Sequence, residues 1–417
     1  GMAQRGHALG VDFGTSNSAA GYLCDGKPRR IEMAPGQTSL PTTFFFDFDT
    51  KQTLIGEPAN QALLDGAHGR FMRALKRVLG TTLMHEKRQI LNERVTFVEI
   101  IGRFLHEIKM RAEIQTGLVF DRALSGRPVV FHGLGDKRED QAEADLRACY
   151  LAAGFLEVDF MPEPEAAAIA SDATGQSRAI GLIVDVGGGT SDFSLFRSGD
   201  GDVEILANHG IRIGGTDFDR SVSIDRVMPL LGRGSQLRKL IGPDLVAAPN
   251  AIFYDLATWE KIPFLYSAEK LRMVEDMRRV AQEPKKVERL ATVLQDRLGH
   301  DLAFAVERGK IKVNSGEQQV EIALEKIEPG LTALLQKAAL HEILRPYSSD
   351  LRTGALETVQ MAGLDPSQVE RVIYVGGSSL MTMVSETMTA LFPNAEHSFS
   401  EVFTAVTDGL ALAAGRT

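Results

Sequence analysis

Leu182-Ile183-Val184-Asp185-Val186-Gly187-Gly188-Gly189-Thr190-Ser191-Asp192-Phe193 is the stretch on which the fold turns. An apolar strand ends in a carboxylate, a turn of glycines and a hydroxyl follows, and a second strand of alternating character leads away. The same pattern occurs earlier, from Leu9 through Val11, Asp12, Phe13, Gly14, Thr15, Ser16, Asn17 and Ser18 to Tyr22. Either turn alone could be a plain β-hairpin. Two matched turns predict a duplicated lobe with a cleft between the copies. Small residues let backbone N–H groups approach phosphate oxygens closely. The carboxylates Asp12 and Asp185 suit Mg2+, held through water because that ion keeps part of its hydration shell.

Working outward, 417 residues with 44% apolar side chains suit more than one core. A net charge of -9 gives no overall positive field, so neither nucleic acid nor an anionic membrane is an expected partner. Cys24 and Cys149 stand far apart in no C-x-x-C pair, which argues against a disulfide framework. The start lacks the apolar region of a signal peptide, and no run of about 18 apolar residues offers a membrane span. A cytoplasmic protein is expected, with Gly1 before Met2 read as a scar of tag removal.

The first lobe is expected over 1–176, with an inserted subdomain at about 41–118. The second is expected over 177–417, with a charge-rich helical insertion at about 221–314 that holds Trp259, the single tryptophan. Helical periods occupy 136–154 and open again at Glu163, where Pro164 suits a first turn. A third strand, Val372-Ile373-Tyr374-Val375, runs through Gly376-Gly377-Ser378-Ser379 into a helix, a place suited to polar ligand atoms. A last helix is expected near 405–414.

Gly21-Tyr22-Leu23-Cys24-Asp25-Gly26-Lys27 imitates a P-loop, but Pro28 occupies the hydroxyl position and Asp25-Gly26 predicts a hairpin turn. His85, His106 and His341 each precede Glu without the second His of a zinc helix. Glu307 and Lys310, three apart on a helix, could grip ribose hydroxyls or form a surface pair. Lys76 taken alone is an ordinary helix charge.

Together these pieces resemble the nucleotide-binding domain of the heat-shock 70 (DnaK-type) chaperones, in order along nearly the whole chain. They are most similar to short, YegD-like members lacking the client-binding domain. The matching pieces are residues 9–18, the Lys76 segment 74–80, the helix at Glu163, the turn 185–192, Gly214-Gly215-Thr216-Asp217-Phe218-Asp219, Glu307-Arg308-Gly309-Lys310, and Val375-Gly376-Gly377-Ser378. The resemblance implies an α/β actin-like fold with duplicated ribonuclease-H-like lobes around an ATP/ADP cleft. Asp12 and Asp185 would bind hydrated Mg2+. Gly14, Thr15, Ser16 and Asn17 would hold the β/γ-phosphates from one side, and Gly187, Gly188, Gly189 and Thr190 from the other. Lys76 would meet the γ-phosphate, with Glu163 and Asp192 positioning water or metal. Gly214 and Gly215 would also bind the nucleotide, and Glu307, Lys310, Gly376, Gly377 and Ser378 would hold its adenosine. The family sandwiches the base between two arginines; the matching positions here are Ile311 and Leu380. Pro128 resembles the family's signalling proline, but the residues after it diverge.

The resemblance implies a weak, chaperone-like ATPase whose lobes open and close for an unknown protein partner or client. The alternatives are a non-enzymatic nucleotide sensor or assembly factor and, more remotely, an actin-like filament protein. A sugar kinase would need an acceptor site with a base, which the sequence does not identify. The chain stops about where the family's nucleotide domain ends, with no acidic-leucine linker or β-sandwich client domain, so client binding by this stretch alone is not expected.

Overall fold

The computed structural model describes residues 6–133, 135–172, 178–199, 202–239, 242–399 and 402–416. The expected lobe boundary at 176/177, the tag scar at Gly1 and the terminal Thr417 lie outside them.

Two five-strand paths share one order. In the first, the strands run Lys27–Arg30, Asn17–Cys24, His7–Phe13, Phe120–Arg127 and Glu157–Pro162, with Leu40–Pro41 pairing off the path to Asn17–Cys24. In the second they run Asp202–Ile211, Ser191–Gly199, Ala179–Val186, Arg371–Val375 and Glu396–Ser398. Counted along the chain within each copy, both read 3-2-1-4-5, with an antiparallel meander on one side and parallel pairs on the other. The two matched turns therefore mark a duplication of the whole sheet, not of a hairpin alone.

Strand composition follows from what covers each face. In Ala179–Val186, Leu182, Val184 and Val186 enter one core while Ile183 enters another, so the strand is apolar on both sides. Val372 and Tyr374 likewise join the first of these cores, and Ile373 and Val375 the second. A separate core behind the first sheet gathers Leu9, Val11, Phe13 and the helix Phe97–Thr116.

The core shared between the sheets rests on two helices. The helix Glu163–Asp172 leaves the first sheet, and its Ala166, Ala167 and Ala168 pack with Ile183, Phe196, Ile373 and Val375 of the second. The last helix, Ala405–Ala414, follows the second sheet and lies on the first, where Gly10 and Gly21 have no room for a Cβ beside Leu410 and Ala411. The helices cross at Gly409, where a Cβ would overlap the Ala166 carbonyl. Arg30 of the first meander ties down the last helix with a fork to the buried Asp408, at 3.0 and 2.9 Å.

Each copy carries long insertions between its third and fourth strands. The first holds the sheet Thr53–Ile55, Thr43–Asp47, Gly69–Arg73. The second holds a short hairpin of Gln236–Arg238 with Leu245–Ala247, followed by the helices Ala251–Leu256, Ala268–Val280, Pro284–Gln295 and Gly299–Asn314. Asp25 and Gly26 form a hairpin turn, both with positive φ, joining Cys24 to Lys27. Cys24 and Cys149 are free. Among the described residues no helix is long and apolar enough to cross a membrane.

Candidate functional site

The tips of the two duplicated hairpins face each other. A Cβ built on Gly188 would stand 3.7 Å from Ser16 Oγ of the opposite tip, which brings the turns 14–17 and 187–190 to one place. Gly14 has no space for a side chain because the Asn17 carbonyl occupies it. Thr15 is half-buried, and Ser16, Asn17 and Thr190 are exposed. The second turn is closed by Gly187 N–H donating to Thr190 O at 2.9 Å.

Lys76 is delivered to this place by a 3-10 turn, Leu75–Val78, entered through Ala74 in a left-handed conformation at φ 58°. That conformation is unfavourable for a residue with a Cβ, and such strain gathers at sites that need one fixed geometry. Lys76 Nζ lies 2.7 Å from Glu163 Oε1, both side chains largely buried, at 11% and 15% exposure. Burial works against the lysine's charge, but Glu163, Asp12 and Asp185 outweigh it and hold its pKa above the ordinary value. Burial, then the Glu163 charge, pushes Asp12 up to about 7, while Lys76 opposes the shift. Asp192, across the hairpin from Asp185, is raised to about 6 by burial and Glu163. Asp185 is raised well above the usual range by burial, Asp192 and Glu163. These acids are a hard-oxygen donor set that a divalent cation would relieve. Among the described residues no three His, Cys, Asp or Glu side chains converge as a direct metal cage would require.

Two further loops stack on the second turn. Gly215 and Thr216 N–H donate to the Gly187 and Gly188 carbonyls at 2.8 Å each, and Thr216 Oγ1 adds a bond to Gly188 O at 2.6 Å. Gly214 is packed so closely on the same carbonyls that a Cβ would sit 2.5 Å from Gly187 O. On the other side Ser379 Oγ accepts from Val186 N–H at 3.0 Å and donates to Val375 O at 2.6 Å. A Cβ on Gly376, at φ 84°, would lie 2.9 Å from Asp185 Oδ1. Gly377 and Ser378 continue this loop, and Ser378 fills the space in front of Gly215.

Glu307 and Lys310 share the helix Gly299–Asn314, yet Lys310 turns its buried ammonium to Asp219, 2.7 Å away. Burial and the Asp219 charge raise the Glu307 carboxyl, against Lys310 and Arg73. The two therefore form a trio with the partly buried Asp219, in which Lys310 pairs with Asp219 and not with Glu307. Ile311 and Leu380 are half-exposed, at 50% and 39%. Asn314 joins their two elements, donating to Leu380 O at 3.0 Å and accepting from Thr382 N–H at 2.8 Å.

Several residues at this cleft carried no signal of their own in the sequence. Asp219 ends the Gly214-Gly215-Thr216-Asp217-Phe218-Asp219 segment, and nothing in its spacing marks it as the partner of Lys310. Ser379 stands beside Ser378 in the hydroxyl turn, and only its bonds to Val186 and Val375 tell the two roles apart. Arg77 reaches from the Lys76 turn to Glu260, 2.5 Å away on the far insertion. Of the histidines, His85 bonds the buried Asp145 at 2.7 Å and His106 bonds Ala153 O at 2.9 Å.

This arrangement can be set beside known proteins. The family model described as "Hsp70 protein" matches residues 8–228 and 276–415. The "Chaperone protein DnaK" of Thermoplasma acidophilum is 28% identical over 383 residues, 90% of this chain and 52% of that protein. The "Chaperone protein DnaK" of Nitrosopumilus maritimus is 26% identical over 98% of this chain and 56% of its own length. That of Cenarchaeum symbiosum is 27% identical over 98% of this chain and 54% of its own length. The chain thus spans about half the length of the curated relatives it matches. The family match runs through both hairpin tips, the Lys76 turn, the trio and the 376–380 loop, and on it the chain belongs to the Hsp70 protein family.

Proposed function

We propose that this chain binds Mg-ATP between the two hairpin tips and hydrolyses it slowly to ADP and phosphate. The observation that carries the reading is Lys76, buried on Glu163 with Asp12 and Asp185 around it. In this reading the chain forms two lobes, 1–176 and 177–417, with insertions at about 41–118 and 221–314. The turns 14–17 and 187–190 present N–H groups and hydroxyls to the β/γ-phosphates. Lys76 places its charge where the γ-phosphoryl oxygens gather charge during transfer, and Glu163 and Asp192 orient the attacking water. Gly214, Gly215, Gly376, Gly377 and Ser378 support the nucleoside, Glu307 and Lys310 take the ribose, and Ile311 and Leu380 cover the base. Asp12 and Asp185 would hold Mg2+ through its waters, and the ion would supply charge neutralisation at the phosphates.

Turnover changes how tightly the lobes close, and a protein partner in the cytoplasm responds to that difference. A sensor that binds without hydrolysing is the second form of the same site. Calorimetric titration with Mg-ATP and Mg-ADP, followed by phosphate release on the same sample, tests both. Binding with release of phosphate and no added acceptor supports the ATPase. Binding without release supports the sensor, and no binding of either nucleotide removes the reading.

A further inference from the structure

We infer that Phe403 is the aromatic cover of the nucleoside base, an inference that rests on the nucleotide reading above. Phe403 is 66% exposed, among the more open large apolar side chains of the described residues. Its ring is nonetheless placed: Cε1 lies 3.2 Å from where a Cβ on Gly377 would be, so the glycine makes room for the ring. Val402 O accepts from Gly376 N–H at 3.1 Å, which fixes the segment carrying Phe403 along the 376–380 loop.

The direction of the cleft supplies the occupant. The loop begins against the Asp185 carboxylate at Gly376 and ends at Leu380. On the facing helix, Glu307 of the trio precedes Ile311 by one turn, a rise of about 6 Å and so about one ring of a nucleoside. The loop that starts against the Asp185 carboxylate carries Leu380 and holds Phe403 against Gly377, and Asn314 ties it to the helix of Ile311; all three apolar side chains are exposed. Charge at one end and an open aromatic ring at the other fit a phosphorylated ligand with a flat base. Of these three apolar groups only Phe403 has a π-face. It stacks on any base, so the site binds nucleoside diphosphates without strict choice among purines.

Calorimetry with Mg-ADP, Mg-GDP and inorganic triphosphate on the wild type, Phe403→Ala and Phe403→Trp tests this. Stacking of this kind gives an expected loss of about tenfold in affinity for both nucleotides in Phe403→Ala, recovery in Phe403→Trp, and no change for triphosphate. An exposed side chain can be truncated without unfolding the protein, and unchanged melting temperatures would confirm it. Wild-type ADP affinity in Phe403→Ala overturns the inference and leaves the nucleotide reading in place. Failure of the wild type to bind either nucleotide overturns both.

Discussion

The guanidinium carbon of Arg73 lies 3.1 Å from the centre of the Trp259 ring, joining the Gly69–Arg73 strand of the first insertion to the 3-10 helix Trp259–Tyr266 of the second. Phe71 and Phe304 flank the indole edge-on, and His300 lies against it at 4.3 Å. Burial, countered by Glu307 and Glu260, brings the Arg73 pKa down to about 10, so it stays charged at neutral pH. A partly desolvated contact of this type is worth roughly 1–2 kcal/mol. Trp259, as the single tryptophan, reports on it without labelling.

Arg73→Ala should shift the tryptophan emission to longer wavelength and speed ADP release about tenfold, the fold-change expected from a contact of that strength. Stopped-flow displacement of labelled ADP measures the rate. An unaltered spectrum together with an unaltered rate would show that the stack does not hold the cleft.

Lys76→Ala should keep nucleotide affinity within about tenfold while lowering phosphate release by at least about a hundredfold, because its charge counts most in the transition state. Single-turnover release at saturating ATP separates the two quantities. Equal losses in binding and turnover would assign Lys76 to ground-state binding.

The ligand-free protein should lose stability as pH rises from about 4 to about 7. Asp12 titrates near 7 when folded and near 3.8 when unfolded, so the folded state holds a proton between those values. The stability that this proton contributes is complete below the unfolded pKa and gone once pH has risen through the folded one. Asp192, at about 6, acts in the same sense. Residual solvent at Asp12 reduces the effect to about 1–2 kcal/mol. Asp12→Asn should flatten the dependence of melting temperature on pH, and so should Mg2+; a profile as steep as wild type would contradict the burial of Asp12.

Gly409→Ala should destabilise the fold by about 2–3 kcal/mol, since its Cβ has no space beside the Ala166 backbone and two helices would have to separate. Chemical denaturation measures this directly. A loss below about 0.5 kcal/mol would mean that the crossing adjusts freely.

Replacing Ile311 and Leu380 together by Arg should tighten ADP binding, because each new guanidinium can add cation-π attraction of roughly 0.5–2 kcal/mol to a face of the base. Calorimetry on the double variant decides it. Unchanged affinity would place both side chains away from the base.

The sheets were legible because their signals are local. A strand, a glycine turn and a second strand lie within about a dozen residues, and their repetition alone implies the duplication. The short hairpin inside 221–314 was not legible, since Gln236–Arg238 and Leu245–Ala247 are three-residue strands with largely exposed side chains. At the site, glycines and carboxylates next to turns stood out, whereas Arg73, Asp219 and Phe403 become informative only through partners far along the chain. Lys310 shows the limit most clearly. Spacing paired it with Glu307 on one helix, but its ammonium takes Asp219 from a different one, and no periodicity within either helix records that choice.

The segment 229–275 falls between the two stretches that match the family, and it contributes both Trp259 and Glu260 to the face opposite Arg73 and Arg77. The groups around Lys76 lie within the matched stretches, whereas Trp259 and Glu260, which brace one insertion against the other, lie between them. A change at Trp259 or Glu260 would slacken that brace while leaving the Lys76–Glu163 contact in place.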